Sequence, residues 1–175
     1  MLLIVFGAPA LAQTCPPAPD HADAMAALVE QLQSTNSPTQ AAPLTQTLWD
    51  LWLDAPDDIA QTLLDHGMQR RKANDFLGAR DLFNDLVAYC PDYAEGYNQR
   101  AFASFLRRDY EAALVDLNRA IDLIPNHIAA LSGRGLTLLG LGRQSEANAS
   151  LRQALTLNPW LGERRFIIEP DGTDI

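Results

Sequence analysis

Basic charge is scarce in this sequence. Thirteen Lys and Arg face 22 Asp and Glu, giving a formal net charge of -9. A nucleic-acid binder needs a basic stripe to meet phosphates, and anionic membrane surfaces ask for the same, so both partner classes are excluded. Histidine and cysteine are few: three His (His21, His66, His127) and two Cys (Cys15, Cys90). No His pair has zinc-ligand spacing and there is no Cys-x-x-Cys. The "DHAD" run at 20–23 is the one stretch that mixes His and Asp, and it sits on a Pro-rich tail. His66 falls at an inward helix position and reads as a packed core residue, while His127 falls in a turn. No Gly-rich phosphate loop and no Gly-x-Ser-x-Gly nucleophile setting occur. The carboxylates are scattered over solvated helix faces. The expectation is a protein without cofactor or metal that binds rather than catalyses.

Long apolar runs are also missing. The longest uncharged opening, "MLLIVFGAPALA" at 1–12, falls short of the roughly 20 residues a membrane-spanning helix needs. Its apolar run from Leu2 to Phe6 and its Ala10-Leu11-Ala12 ending read as a signal peptide cut before Gln13. It lacks the basic residue that normally precedes the apolar run. Export, to a periplasm or beyond, is the corresponding expectation. In an oxidising compartment Cys15 and Cys90 are candidates for a disulfide. A buried Cys90 beside a disordered Cys15 is the alternative.

What the sequence has is repetition. "NQRAFASFLRRDYEAALVDLNRAIDLIP" from Asn98 to Pro125 returns 34 residues later as "SGRGLTLLGLGRQSEANASLRQALTLNP" from Ser132 to Pro159. Three windows follow this period: Ala60–Tyr93, Ala94–His127 and Ile128–Leu161. Each holds two helical patterns of about 13 residues around a short turn, and each closes near a proline. Before them come a Pro-rich tail at 13–22 and an apolar helical pair over 23–55. After them, 162–175 reads as a cap and tail, with Trp160, Leu161, Phe166 and Ile167 covering the last helix.

The windows resemble the tetratricopeptide repeat family over 60–161. The residues that carry the resemblance stand at fixed places. Position 4 is Leu63, Tyr97 and Leu131; position 8 is Gly67, Ala101 and Gly135; position 20 is Ala79, Ala113 and Ala147. Position 24 is Phe83, Leu117 and Leu151; position 27 is Leu86, Ala120 and Ala154; position 32 is Pro91, Pro125 and Pro159. Leu86 departs from the small residue expected at position 27, and a slight splaying of the first pair is expected from it. The chain is also similar to small exported bacterial repeat proteins of undefined activity that carry "LWDLWL"-type and "PDYAEGYNQRA"-type segments. The resemblance implies an all-α, right-handed α-solenoid of three helix-turn-helix pairs. The N-terminal pair reads as a degenerate copy stacked on the first repeat.

In this family, positions 2, 5, 9 and 12 of each first helix face a concave groove. Here these are Gln61, Leu64, Met68 and Arg71; Glu95, Asn98, Phe102 and Phe105; then Ala129, Ser132, Leu136 and Leu139. The family's clamp for a terminal carboxylate is absent, since Leu64, Met68, Phe102 and Gly133 stand where its Lys, Asn and Arg would be. The resemblance therefore implies a protein–protein interaction module taking an apolar or amphipathic segment of an unknown partner. An apolar small ligand in the same groove, an unrecognised enzyme, and a groove covered by the chain's own tail or terminal helices remain as alternatives.

Overall fold

The computed structural model describes residues 14–168, and among them there are eight α-helices and no strand. The expected signal peptide, the Gln13 terminus and the tail beyond Glu169 lie outside the described residues. The helices are α1 (Ala22–Ser34), α2 (Pro38–Trp52), α3 (Asp58–Lys72), α4 (Phe76–Tyr89), α5 (Ala94–Leu106), α6 (Tyr110–Leu123), α7 (Ile128–Gly140) and α8 (Gln144–Leu157). A 3-10 helix, Gly162–Phe166, follows. From α3 onward each helix packs on the next, and α5 also touches both α3 and α7. The first helices of the three pairs thus form an inner row, with α4, α6 and α8 outside it.

The turns inside the three pairs share one backbone device. The fifteenth residue of each window takes a left-handed conformation: Asn74 (φ 62°), Arg108 (φ 62°) and Gly142 (φ 72°). The following N–H donates to the carbonyl five residues back, Asp75 to Arg70, Asp109 to Ser104 and Arg143 to Leu138. This satisfies a carbonyl that the helix end would otherwise leave unpaired and turns the chain sharply. Several helix starts are capped by a side-chain acceptor. The Asp57 carboxylate accepts from the Ala60 N–H (2.9 Å), and Asp75 accepts from Gly78 (3.0 Å).

Packing explains the small residues. A Cβ on Gly67 would lie 2.7 Å from Phe83 Cζ, and one on Gly135 would lie 2.5 Å from Leu151 Cγ. Position 8 is small because the bulky residue at position 24 of the partner helix fills its space. Leu86, whose size suggested a slight splaying of the first pair, turns its bulk toward the next repeat. It is fully buried, and Gly96 leaves room for it; a Cβ there would sit 3.3 Å from Leu86 Cγ. One repeat later Ala120 and Ala130 stand at the equivalent places in one buried cluster. A large–small pair has replaced a small–small pair at constant spacing.

The N-terminal helical pair differs from the expected stacking on the first repeat. It crosses the concave side to the other end of the solenoid. Helix α1 packs on α2 and α8. Leu32, Ala41, Leu48 and Trp52 are buried together with Ile128, and Ala129, Leu157, Trp160 and Leu161 pack around them. Gln33 Nε2 donates to the Thr156 carbonyl (2.7 Å), and Asn158 Nδ2 donates to Thr45 Oγ1 (3.3 Å). The apolar faces of α1 and α2 are better matched by the uncapped last repeat than by α3, whose own apolar residues already face α4 and α5. Consequently the cap is divided. Trp160 and Leu161 join the N-terminal pair, while the 3-10 helix lies against α8. Asn148 fixes the end of this segment, donating to the Ile168 carbonyl (2.6 Å).

The base of the N-terminal pair is tied down. Cys15 and Cys90 are joined as a disulfide that closes 75 residues of sequence. The Tyr93 hydroxyl donates to the Trp52 carbonyl (2.7 Å), and His21 Nε2 lies 2.7 Å from Asp54 Oδ2. The "DHAD" histidine is therefore engaged by the α2–α3 connection. His66 is exposed rather than packed. It stands at position 7, where Arg100 and Arg134 reach Asp116 and Ser150 on their partner helices (2.6 and 2.9 Å).

Candidate functional site: the roofed concave groove

Helix α2 forms a roof over part of the inner row. Between them is a cavity of about 540 Å³, walled by Leu48, Trp49 and Trp52 from α2 and by residues of α3, α5 and α7. Of the groove positions read from the sequence, Met68, Arg71, Asn98, Phe102, Phe105, Ala129, Ser132 and Leu136 line it. Four others sit elsewhere. Leu64 is fully buried in the core of the first pair. Gln61 holds the α2–α3 connection, its Oε1 accepting from the Ala55 N–H (3.1 Å). Leu139 is half-buried and not among the lining residues. Glu95 is buried beneath the site in a polar network.

That network was not legible in advance. The Glu95 carboxylate and the His127 ring are both fully buried, with Oε2 and Nε2 2.9 Å apart. His127 Nδ1 accepts from the Ala130 N–H (3.3 Å), which leaves Nε2–H as the donor to Glu95 in the neutral ring. Asn98 and Gln99 donate to the same carboxylate. The Trp52 ring stacks on His127, 4.4 Å between centroids. His127 thus caps α7, anchors α5 and supports the roof. Burial pushes the Tyr93 phenol well above its ordinary range, with the charges of Glu95, Asp54 and Asp65 adding to it, so its hydroxyl stays a donor to Trp52.

Arg71 is the cation of the cavity wall. Its guanidinium lies over the Phe102 ring, 4.5 Å from the centroid, a favourable cation–π distance. Burial holds its pKa below the usual arginine value, with Glu95 acting in the opposite direction. It makes no ion pair among the described residues. Phe102 remains 43% exposed at the open edge. The described residues contain no group of three or more His, Cys, Asp or Glu that could hold a metal, and no helix long and apolar enough to cross a membrane.

No family model matches the chain. Among curated proteins it is 47% identical over 64 residues to the tetratricopeptide repeat protein 36 homolog of Nematostella vectensis, covering 37% of this chain and 35% of that protein. It is 27% identical over 143 residues to a TPR repeat-containing protein of Rhizobium etli, covering 82% of this chain and 65% of the relative. Among solved structures, the first TPR of Spaghetti (RPAP3) bound to the HSP90 peptide SRMEEVD aligns with a TM-score of 0.59 at 25% identity, covering 61% of this chain and 89% of that one. The fold is a tetratricopeptide-repeat solenoid. The names of the relatives and the solved neighbours support the tetratricopeptide repeat family. The TPR2B domain of yeast Sti1, in a complex with pHsp70, has a TM-score of 0.60 at 19% identity, covering 63% of this chain and 94% of that one. The chain spans about a third to two thirds of the length of the curated relatives it matches. The Spaghetti domain holds a peptide; in this chain a helical pair is laid across the inner row.

Proposed function

We propose that this protein is a non-catalytic interaction module that receives an apolar or amphipathic segment of a partner protein in its concave groove, in the envelope of a bacterial cell. The observation that carries the reading is the part of the inner row that α2 leaves uncovered, where Phe102 is 43% exposed beside the half-buried Met68 and Phe105. Such a surface costs free energy in water and is matched by apolar side chains of a partner. The peptide-bound Spaghetti domain supports this use of the groove. Its acidic ligand is not carried over, because Leu64, Met68, Phe102 and Gly133 stand at the carboxylate-clamp positions. The Cys15–Cys90 pair supports an oxidising compartment, as does the apolar leader. Affinity capture from envelope extract, compared between wild type and Phe102→Asp, tests the reading. A partner retained by wild type and lost by the variant is expected; equal capture by both overturns it.

A second reading is favoured by one observation. Roofed by α2, the cavity of about 540 Å³ falls within the roughly 300–1,000 Å³ of small-molecule sites. It supports a carrier of an apolar small ligand.

A further inference from the structure

The cavity is not uniformly apolar, and its polar groups say what kind of ligand it fits. Arg71 lines it as a half-buried cation with no carboxylate in ion-pair range. The one acid whose charge reaches it, Glu95, already accepts from His127, Asn98 and Gln99. Arg71 Nε is buried without a hydrogen-bond partner. Three further lining residues, Trp52, Ser132 and Thr137, are more than nine-tenths buried, and their Nε1, Oγ and Oγ1 also lack a partner. Gln99 Oε1 is an unpaired acceptor among them. Arg71 Nε and Trp52 Nε1 can only donate, the two hydroxyls can donate or accept, and Arg71 brings one full positive charge. Desolvated donors beside a lone cation favour an anion, and a planar guanidinium matches a carboxylate in particular. The rest of the wall is mostly apolar, with Leu48, Trp49, Met68, Phe102, Phe105 and Leu136, and continues along α5 and α7 to Leu161. With neighbouring helix axes about 8–10 Å apart, the row from α3 to α7 gives an elongated path of roughly 16–20 Å.

We propose that the cavity under α2 binds a single-chain aliphatic carboxylate, its head group on Arg71 and its chain along Phe102, Phe105 and Leu136. This develops the small-ligand reading and shares Phe102 and Phe105 with the open edge proposed for partner docking, whereas Arg71 is tested here by its effect on the ligand head group alone. Glu163, in the 3-10 helix, lines the opposite end and does not act on Arg71. An orientation with the carboxylate at that end is disfavoured by like charge. Arg71 stands at position 12 of the first repeat window, off the family's peptide-clamp positions.

The test is isothermal titration of the full chain with dodecanoate and with dodecanol, both kept below aggregation. Wild type is expected to bind the carboxylate at least about tenfold more tightly than the alcohol, the scale of one charged hydrogen-bonded contact. Arg71→Met is expected to bring the two affinities within about twofold while leaving alcohol binding in place; Arg71→Lys retains part of the preference. Val115→Ala, on the outer helix α6 and outside the cavity lining, is the control and keeps it. Helical content of each variant by circular dichroism checks folding. Equal affinity of wild type for acid and alcohol overturns the assignment to Arg71 and leaves an apolar site. Binding of neither probe by wild type overturns the small-ligand reading itself.

Discussion

The contact between Gly67 and Phe83 turns the repeat pattern into a quantity. Gly67→Ala adds one methyl group, which would lie within 2.8 Å of three Phe83 ring carbons. Ordinary carbon contacts are about 3.5–4.0 Å, so the ring must retreat by about 1 Å. Phe83 is fully buried among Leu64, Ala79 and Leu86 and has no open side to retreat into. Overpacking of this kind costs about 1–3 kcal/mol, and the gain from Ala over Gly in a helix returns about 1 kcal/mol. The net expectation is a loss of up to about 2 kcal/mol. At about 2–4 °C per kcal/mol for a chain of this size, the melting temperature falls by up to about 8 °C. Phe83→Leu removes the ring atoms that clash, so the double variant is expected to show a coupling of about 1 kcal/mol or more. Gly162→Ala is the control, since nothing lies within 4 Å of its added methyl. Calorimetric melting of the four proteins measures this. An unchanged or raised melting temperature for Gly67→Ala, with no coupling to Phe83→Leu, refutes the packing account.

Two further outcomes follow from the ties at the base of the N-terminal pair. Linking residues 75 apart restricts the unfolded chain by about 4 kcal/mol in the loop-entropy picture, so reductant or Cys15→Ser is expected to lower the melting temperature by about 8–16 °C; equal thiol counts in denatured protein with and without reductant refute the pairing. The Asp57 carboxyl is held below its ordinary value of 3.8, first by the Ala60 N–H and then by the Tyr89 hydroxyl, so its contribution is present above that pH and is lost as pH falls through the depressed folded value. Asp57→Ala is therefore expected to melt lower than wild type at pH 7, with the gap closing toward pH 2; a gap independent of pH contradicts this.

The helices and their pairing were legible because the repeat states each packing contact in local sequence. Gly67 against Phe83 and Gly135 against Leu151 are read directly from positions 8 and 24. The inner row was legible only in part. Met68, Phe102 and Leu136 at position 9 line the cavity, but Leu64 at position 5 and Glu95 at position 2, also expected in the groove, are buried, because the first repeat is covered by the α2–α3 connection and the second by His127. His66 was misjudged: position 7 is half-inward, and without an Arg to reach across it turns to solvent. The crossing of α1 and α2 to the last repeat had no local signal. It depends on contacts more than 100 residues apart, such as Gln33 to Thr156 and Thr45 to Asn158. A trace of it lay in the mutual need of two surfaces, the Leu- and Trp-rich face of α2 and the uncapped α7–α8 pair. The Glu95–His127 pair likewise joins the two ends of the second window, which meet only when α5 and α7 lie side by side.

The central functional claim is that a partner contacts the open inner row beside Phe102. Photo-crosslinking in cells, with a benzophenone amino acid in place of Phe102 or of Val115, tests it most directly. Val115 is the better exposed of the two and lies on the outer helix α6. The account predicts a discrete crosslink to a second protein from position 102 and none from position 115. Crosslinks from position 102 that stay within the chain's own α2, or the same adducts from both positions, would contradict it.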